Sequence, residues 1–168
     1  DCGTGVAVLS VEQLMAIDHI FLTHAHLDHI AYLPFIVDSV GDCRRTPITV
    51  HAAPETLRIL RSHVFNWLVW PDFSAIPDRA RPLIRFNEIR AGESRTVNGR
   101  EICALPVLHA VPAIGYHLRG SEGSLVFTGD TTVSNNLIAA INAIDDLRYL
   151  IIETAFPNMQ HDLALASR

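Results

Sequence analysis

Long apolar runs are missing from this chain: across 168 residues none approaches the ~20 consecutive apolar positions that a membrane span requires. The composition therefore predicts a soluble chain with no membrane partner. Cysteine is scarce as well. Cys2, Cys43 and Cys103 are odd in number and widely spaced, which argues against a disulfide framework and against a CxxC metal knuckle. Positive charge is the minority sign, with 13 Lys plus Arg against 18 Asp plus Glu and a net charge of −5. A broad basic surface for nucleic acid is excluded on that balance, although a phosphate-bearing substrate is not, because bound divalent cations would dominate the field locally. No leader, lipidation motif, internal repeat or low-complexity tract is present, so nothing selects between cytoplasm and periplasm.

What remains is the composition of a globular domain, 49% hydrophobic and 18% charged, and the length fits one domain spanning 1–168 with one continuous core. The opening Asp1-Cys2-Gly3-Thr4-Gly5 has the texture of a strand end and turn without its strand, which predicts a fragment truncated at both ends. Residues 18–23 read as a central strand, 28–40 as a helix, 47–50 as a second strand and 55–65 as a helix entered through Pro54. This βαβα order predicts a parallel layer. Residues 66–82, interrupted by Pro71, Pro77 and Pro82, read as a loop or insert whose Trp67, Trp70 and Phe73 form either a wall over a site or, preferably, a satellite hydrophobic cluster. Short strands follow at 83–86, 94–97, 101–108, 114–119 and 124–128, with Asn98-Gly99 as a hairpin turn. A helix over 135–144, a strand over 149–153 and a helix-compatible end complete the pattern.

The densest chemistry lies between the first strand and the first long helix: His24-Ala25-His26-Leu27-Asp28-His29. Nine His and eleven Asp in the chain would produce this pattern by chance in roughly two such sequences per thousand. A solvated histidine loop would sit among polar residues, yet Ile20-Phe21-Leu22 leads in and Ile30 to Val37 leads out. Imidazoles with an adjacent carboxylate are the ligands of zinc-like ions. His24 and His26 fall on one side of an extended segment, while Asp28 and His29 lie beyond the turn, so the spacing suggests two ions. His109 and Asp130 also stand at predicted strand ends, where site residues of α/β sheets collect; either one alone is more often an ordinary loop residue.

The ordered series H-x-H-x-D-H, strand-end His, then Thr128-Gly129-Asp130 resembles the metallo-β-lactamase superfamily. That resemblance implies an α/β fold, an αββα sandwich, with His24, His26 and His109 on one divalent ion, Asp28 and His29 on the other, and Asp130 bridging both. Leu27 before Asp28, Leu33-Pro34-Phe35, Asp38-Ser39, the stretch from Phe65-Asn66 to Trp70-Pro71-Asp72-Phe73, and Glu153-Thr154-Ala155-Phe156-Pro157-Asn158 are similar to class II cyclic-nucleotide phosphodiesterases, although Tyr32 replaces the small residue usual there. The implied reaction is hydrolysis of a small 3′,5′-cyclic nucleotide to a 5′-nucleotide by a hydroxide shared between two ions, Zn²⁺ or else Mn²⁺ or Fe²⁺, with Asp28 as the catalytic carboxylate. No extended nucleic acid is implied, and a homodimer is left open.

The family's last His ligand belongs in a Ser-x-His-Leu-like segment that the chain does not reach; His161 falls too early for it. Glu153 ends a strand, either orienting a ligand histidine or facing solvent. His19, His51, His63 and His117 read as strand or helix residues rather than ligands, with His117 satisfied by hydrogen bonds. The alternatives are a ribonuclease Z-type RNA-processing nuclease, another hydrolase of the same fold, or an inactive binding module.

Overall fold

The computed structural model describes residues 1–155 and 158–160, and the chain divides into two compact units, Asp1–Glu88 and Ile89–Arg168. The expected helix-compatible end, Phe156-Pro157 and His161 lie outside the described residues.

In the first unit a 3-10 turn over Thr4–Val8 leads into helix α1 (Val11–Met15). These two elements have no counterpart among the sequence expectations, yet α1 carries a readable signal. Ser10 Oγ accepts from the Gln13 amide while the Gln13 side chain accepts from the Ser10 amide, a reciprocal capping box. Strands β1 (His19–Phe21), β2 (Ile48–Ala52) and β3 (Ile84–Glu88) form a parallel sheet in the order β1-β2-β3, as the βαβα pattern predicts. The strand expected at 83–86 thus joins this sheet rather than the run of short strands that follows it.

The helix expected over 28–40 is instead two, α2 (Leu27–Ile30) and α3 (Leu33–Val40). Pro34 accounts for the break: its nitrogen has no hydrogen to donate to the Ile30 carbonyl, although Ala31 and Tyr32 between the two helices keep right-handed helical angles. Helix α4 (Pro54–Ile59) starts at the position that proline favours and passes into a π turn over Leu60–Val64, closed by the Phe65 amide on the Leu60 carbonyl at 2.8 Å. Ile20, Leu22, Val50 and Ile84 from the sheet pack with Leu33, Ile36, Val37, Leu57 and Leu60 from the helices. Phe65 and Phe73 belong to this core and Trp70 packs against it, so the aromatic insert joins the main core of the unit instead of forming the expected satellite cluster, and Trp67 is left 63% exposed.

The second unit holds a five-stranded sheet in sequential order: β4 (Ser94–Val97), β5 (Arg100–Pro106), β6 (Ile114–Gly120), β7 (Gly123–Phe127) and β8 (Leu147–Ile151). The first four are antiparallel neighbours, and β8 returns parallel to β7 after helix α5 (Asn135–Asn142). Asn98 and Gly99, with φ of 50° and 75°, make the expected hairpin turn with both central residues left-handed. Ser134 Oγ caps α5 on the Leu137 amide, and Leu137 packs on Leu105 and Val126. Strand β8 ends two residues earlier than expected. Ile151 gives the last ladder carbonyl, to the Thr128 amide, and Glu153 turns aside to another partner.

Candidate metal centre

In the first unit, β1 delivers the motif. The Leu22 amide bonds the His51 carbonyl at 2.9 Å, extending the pairing to the residue before Thr23, and His24 follows fully buried. Thr23 and His29 are then tied to one carboxylate. Asp1 Oδ1 accepts from the Thr23 amide at 2.7 Å and from Thr23 Oγ1 at 3.0 Å, and Asp1 Oδ2 lies 2.8 Å from His29 Nδ1.

This arrangement assigns the histidine tautomers. The single hydroxyl proton of Thr23 goes to Asp1, so its oxygen accepts from His24 Nδ1 at 3.0 Å; His29 Nδ1 likewise donates to Asp1. Both rings thereby carry their lone pair on Nε2, the state a metal ligand requires. Asp1 was missed as a functional residue in the sequence, where it read as part of a turn. Its signal is an acid at the head of Asp-Cys-Gly, resolved only when the fold brings residue 1 to residue 29.

The same segment holds the motif's backbone. The Cys2 amide donates to the His29 carbonyl at 2.7 Å and the Tyr32 amide to the Cys2 carbonyl at 2.9 Å, bracketing α2. A Cβ on Gly3 would stand 2.0 Å from the Asp28 carbonyl oxygen, a separation that only glycine avoids. Burial pushes the Cys2 thiol up to about 12, so it is an inert packing group.

The motif's side chains gather closely. The His24 and His26 rings meet edge to face at 4.6 Å, and the His24 and His29 rings are 4.1 Å apart. Asp28 places Oδ2 3.4 Å from His29 Nε2 with its side chain 79% exposed, so this carboxylate faces open space beside the ring.

In the second unit, His109 follows β5 and Asp130 follows β7, where Gly129 turns the chain at φ 59°. His109 Nε2 and Asp130 Oδ2 lie 3.9 Å apart. Two loops are stitched to hold them there: the Thr132 amide donates to the Leu108 carbonyl at 2.7 Å, and the Leu108 amide donates to Thr131 Oγ1 at 3.3 Å. Glu153 Oε2 accepts from the Thr131 amide at 2.9 Å. Neither reading open for Glu153 describes what is found: half-buried, its carboxylate holds the backbone of the loop after Asp130 rather than a ligand ring.

The remaining histidines divide. His19 Nδ1 and His51 Nε2 are 3.0 Å apart, and His51 stacks on Phe21. His117 departs from expectation. It is buried, and its Nε2 makes no hydrogen bond among the described residues. Burial, reinforced by Arg119 and partly opposed by Asp146 and Glu101, holds its pKa below the ordinary 6.5. The ring is accommodated by staying neutral rather than by pairing.

Ligand atoms that could hold a metal ion are therefore offered by His24 and His26 in the first unit and by His109 and Asp130 in the second, and in the first unit the Asp28–His29 pair stands beside His24. Imidazole nitrogens set as acceptors, together with carboxylate oxygens, fit a divalent ion of the zinc type.

Residues 1–161 match the family described as beta-lactamase superfamily domain. Among curated proteins, a probable 3′,5′-cyclic-nucleotide phosphodiesterase of Yersinia pestis is 28% identical over 159 residues, covering 85% of this chain and 45% of that protein. A ribonuclease Z of Halorubrum lacusprofundi is 30% identical over 126 residues, covering 73% of this chain and 38% of that protein. The chain thus spans less than half the length of these relatives. Unliganded yeast PDE1 superposes with a TM-score of 0.74 at 23% identity, over 88% of this chain and 47% of that one. The short form of human tRNase Z gives 0.66 at 21% identity, over 99% of this chain and 70% of that one. These likenesses establish the metallo-β-lactamase fold, which implies divalent metal ions. By its matched domain and its fold, the chain belongs to the metallo-β-lactamase superfamily.

Proposed function

We propose that the two units act as one metallo-hydrolase domain that opens 3′,5′-cyclic nucleotides to 5′-nucleotides, with His24, His26, His109 and Asp130, together with Asp28 and His29, holding two divalent ions, Zn²⁺ or else Mn²⁺ or Fe²⁺. The observation that carries this reading is the tautomer control at Asp1 and Thr23, which prepares His24 and His29 to bind metal through Nε2. Relatives named as cyclic-nucleotide phosphodiesterases support the substrate class. When bound, the ions supply Lewis acidity that makes water a nucleophile near neutral pH and offsets negative charge on the phosphoryl oxygens.

The chain's own residues supply position. Asp28, exposed beside His29, accepts a hydrogen bond from the attacking water and aims its lone pair at phosphorus. Glu153 and Thr131 hold the Asp130 loop against the His109 loop. Precursor RNA is a second reading, favoured by the relatives named ribonuclease Z. The net charge of −5 weighs against it, since binding a phosphate backbone calls for clustered cations.

Elemental analysis of the full-length protein, run beside hydrolysis of cyclic AMP and cleavage of precursor tRNA, tests the reading. Bound divalent metal and cyclic AMP turnover, both removed by chelator, are expected. Turnover untouched by chelator, or cleavage of precursor tRNA alone, contradicts it.

A further inference from the structure

In the first unit the candidate metal motif follows the C-terminal end of β1, and a cleft lies at the other end of the same parallel sheet. This cleft, of about 600 Å³, opens where Pro47 and Leu83 precede β2 and β3, within the size range of small-molecule sites. Arg44, Arg45, Arg81 and Arg85 line it against one carboxylate, Asp42. The chain has a net charge of −5 and its 13 cations are all arginine, four of which line this one cleft.

The four arginines are not equivalent. Arg44 is spent on structure, its guanidinium bonded to the Asp18 carboxylate and the Met15 carbonyl and only 6% exposed. Arg81 is held loosely, 3.5 Å from Asp78 and 84% exposed. The side chains of Arg45 and Arg85 are exposed and make neither an ion pair nor a hydrogen bond among the described residues. Two guanidinium forks without an ion pair, and a third weakly paired, offer donors suited to an oxyanion, since each fork can bond two phosphate oxygens at once. Pro47, Pro82 and Leu83 add an apolar wall on which a flat ring can rest.

We propose that this cleft binds a small organic phosphate, a nucleoside 5′-phosphate being the class that matches both halves of it: a dianionic phosphate on Arg45 and Arg85, and a base against the Pro47, Pro82 and Leu83 wall. Phosphate in this cleft would be distinct from phosphate at the metal ligands, and the site does not depend on the reaction proposed above.

Hydrogen–deuterium exchange of the full-length protein as purified, with and without AMP, reads the site locally. AMP is expected to protect residues 41–47 and 77–85, and the double variant R45Q/R85Q to abolish that protection while melting at the unchanged temperature. Adenosine, which lacks the charge, is expected to give none, and inorganic phosphate less than AMP. Absence of protection in the parent protein, or protection that survives in R45Q/R85Q, overturns the proposal. A ten-nucleotide single-stranded RNA that protects both segments at lower concentration than AMP also overturns it, by assigning the arginines to a nucleic-acid backbone.

Discussion

The two groups of candidate ligands are built in opposite ways. In the first unit the candidate ligands lie within six consecutive residues packed by the segment 1–3, and the tautomers of His24 and His29 are set by Thr23 and Asp1. In the second unit His109 and Asp130 stand on separate loops, and the bracing acts on the backbone, through Thr131, Thr132 and Glu153, rather than on the rings. The first arrangement orients the ring nitrogens of candidate ligands; the second fixes the loops that carry them.

If Asp28 serves the attacking water rather than only its neighbour His29, Asp28→Ala lowers kcat by about 10³-fold, close to 4 kcal/mol, with KM changed little. Steady-state kinetics on cyclic AMP checks this, and near-normal turnover would remove Asp28 from the mechanism. Packing gives the next contrast. Gly3→Ala drives a Cβ into the Asp28 carbonyl and is expected to cost about 3 kcal/mol in denaturant unfolding. Gly115→Ala, whose Cβ would meet the Phe127 and Thr128 carbonyls at 3.1 Å, is expected to cost about 1 kcal/mol. Equal costs would erase the difference in how tightly the two regions are packed.

The asymmetry also explains what could be read directly. The H-x-H-x-D-H motif is legible because its ligands are neighbours in sequence, and the parallel sheet because its strands alternate with helices. Asp1 was not legible, because its partners Thr23 and His29 are more than twenty positions away and an acid in a turn has an ordinary explanation. The break between α2 and α3 was available in Pro34, but the apolar periodicity that continues across it masked it. His109 and Asp130 gained meaning only beside the first motif and the family it resembles, since a strand-end histidine and a Gly-Asp pair are common in loops.

Smaller effects sharpen the contrast between tuning and positioning. Asp1→Asn keeps the shape but leaves one acceptor oxygen where Thr23 and His29 use two, and is expected to lower metal affinity 10- to 100-fold in a chelator competition. Glu153→Gln retains an acceptor for the Thr131 amide and is expected to lower that affinity by less than tenfold; the reverse order would place ligand tuning in the second unit. The least effect is at His117. Its folded pKa is depressed, so the unfolded chain takes the proton first, and stability present above pH 6.5 declines as pH falls from 6.5 through the lowered folded value. His117→Gln is expected to flatten that part of a thermal-melting profile, and an unchanged slope would assign the titration to another group.

The decisive measurement is metal content per chain in His26→Ala and in Asp130→Ala, by elemental analysis of the full-length protein at fixed free metal. Loss of bound metal in both variants is expected if ligands from the two units serve one centre. Full metal content in Asp130→Ala, beside loss in His26→Ala, would contradict it.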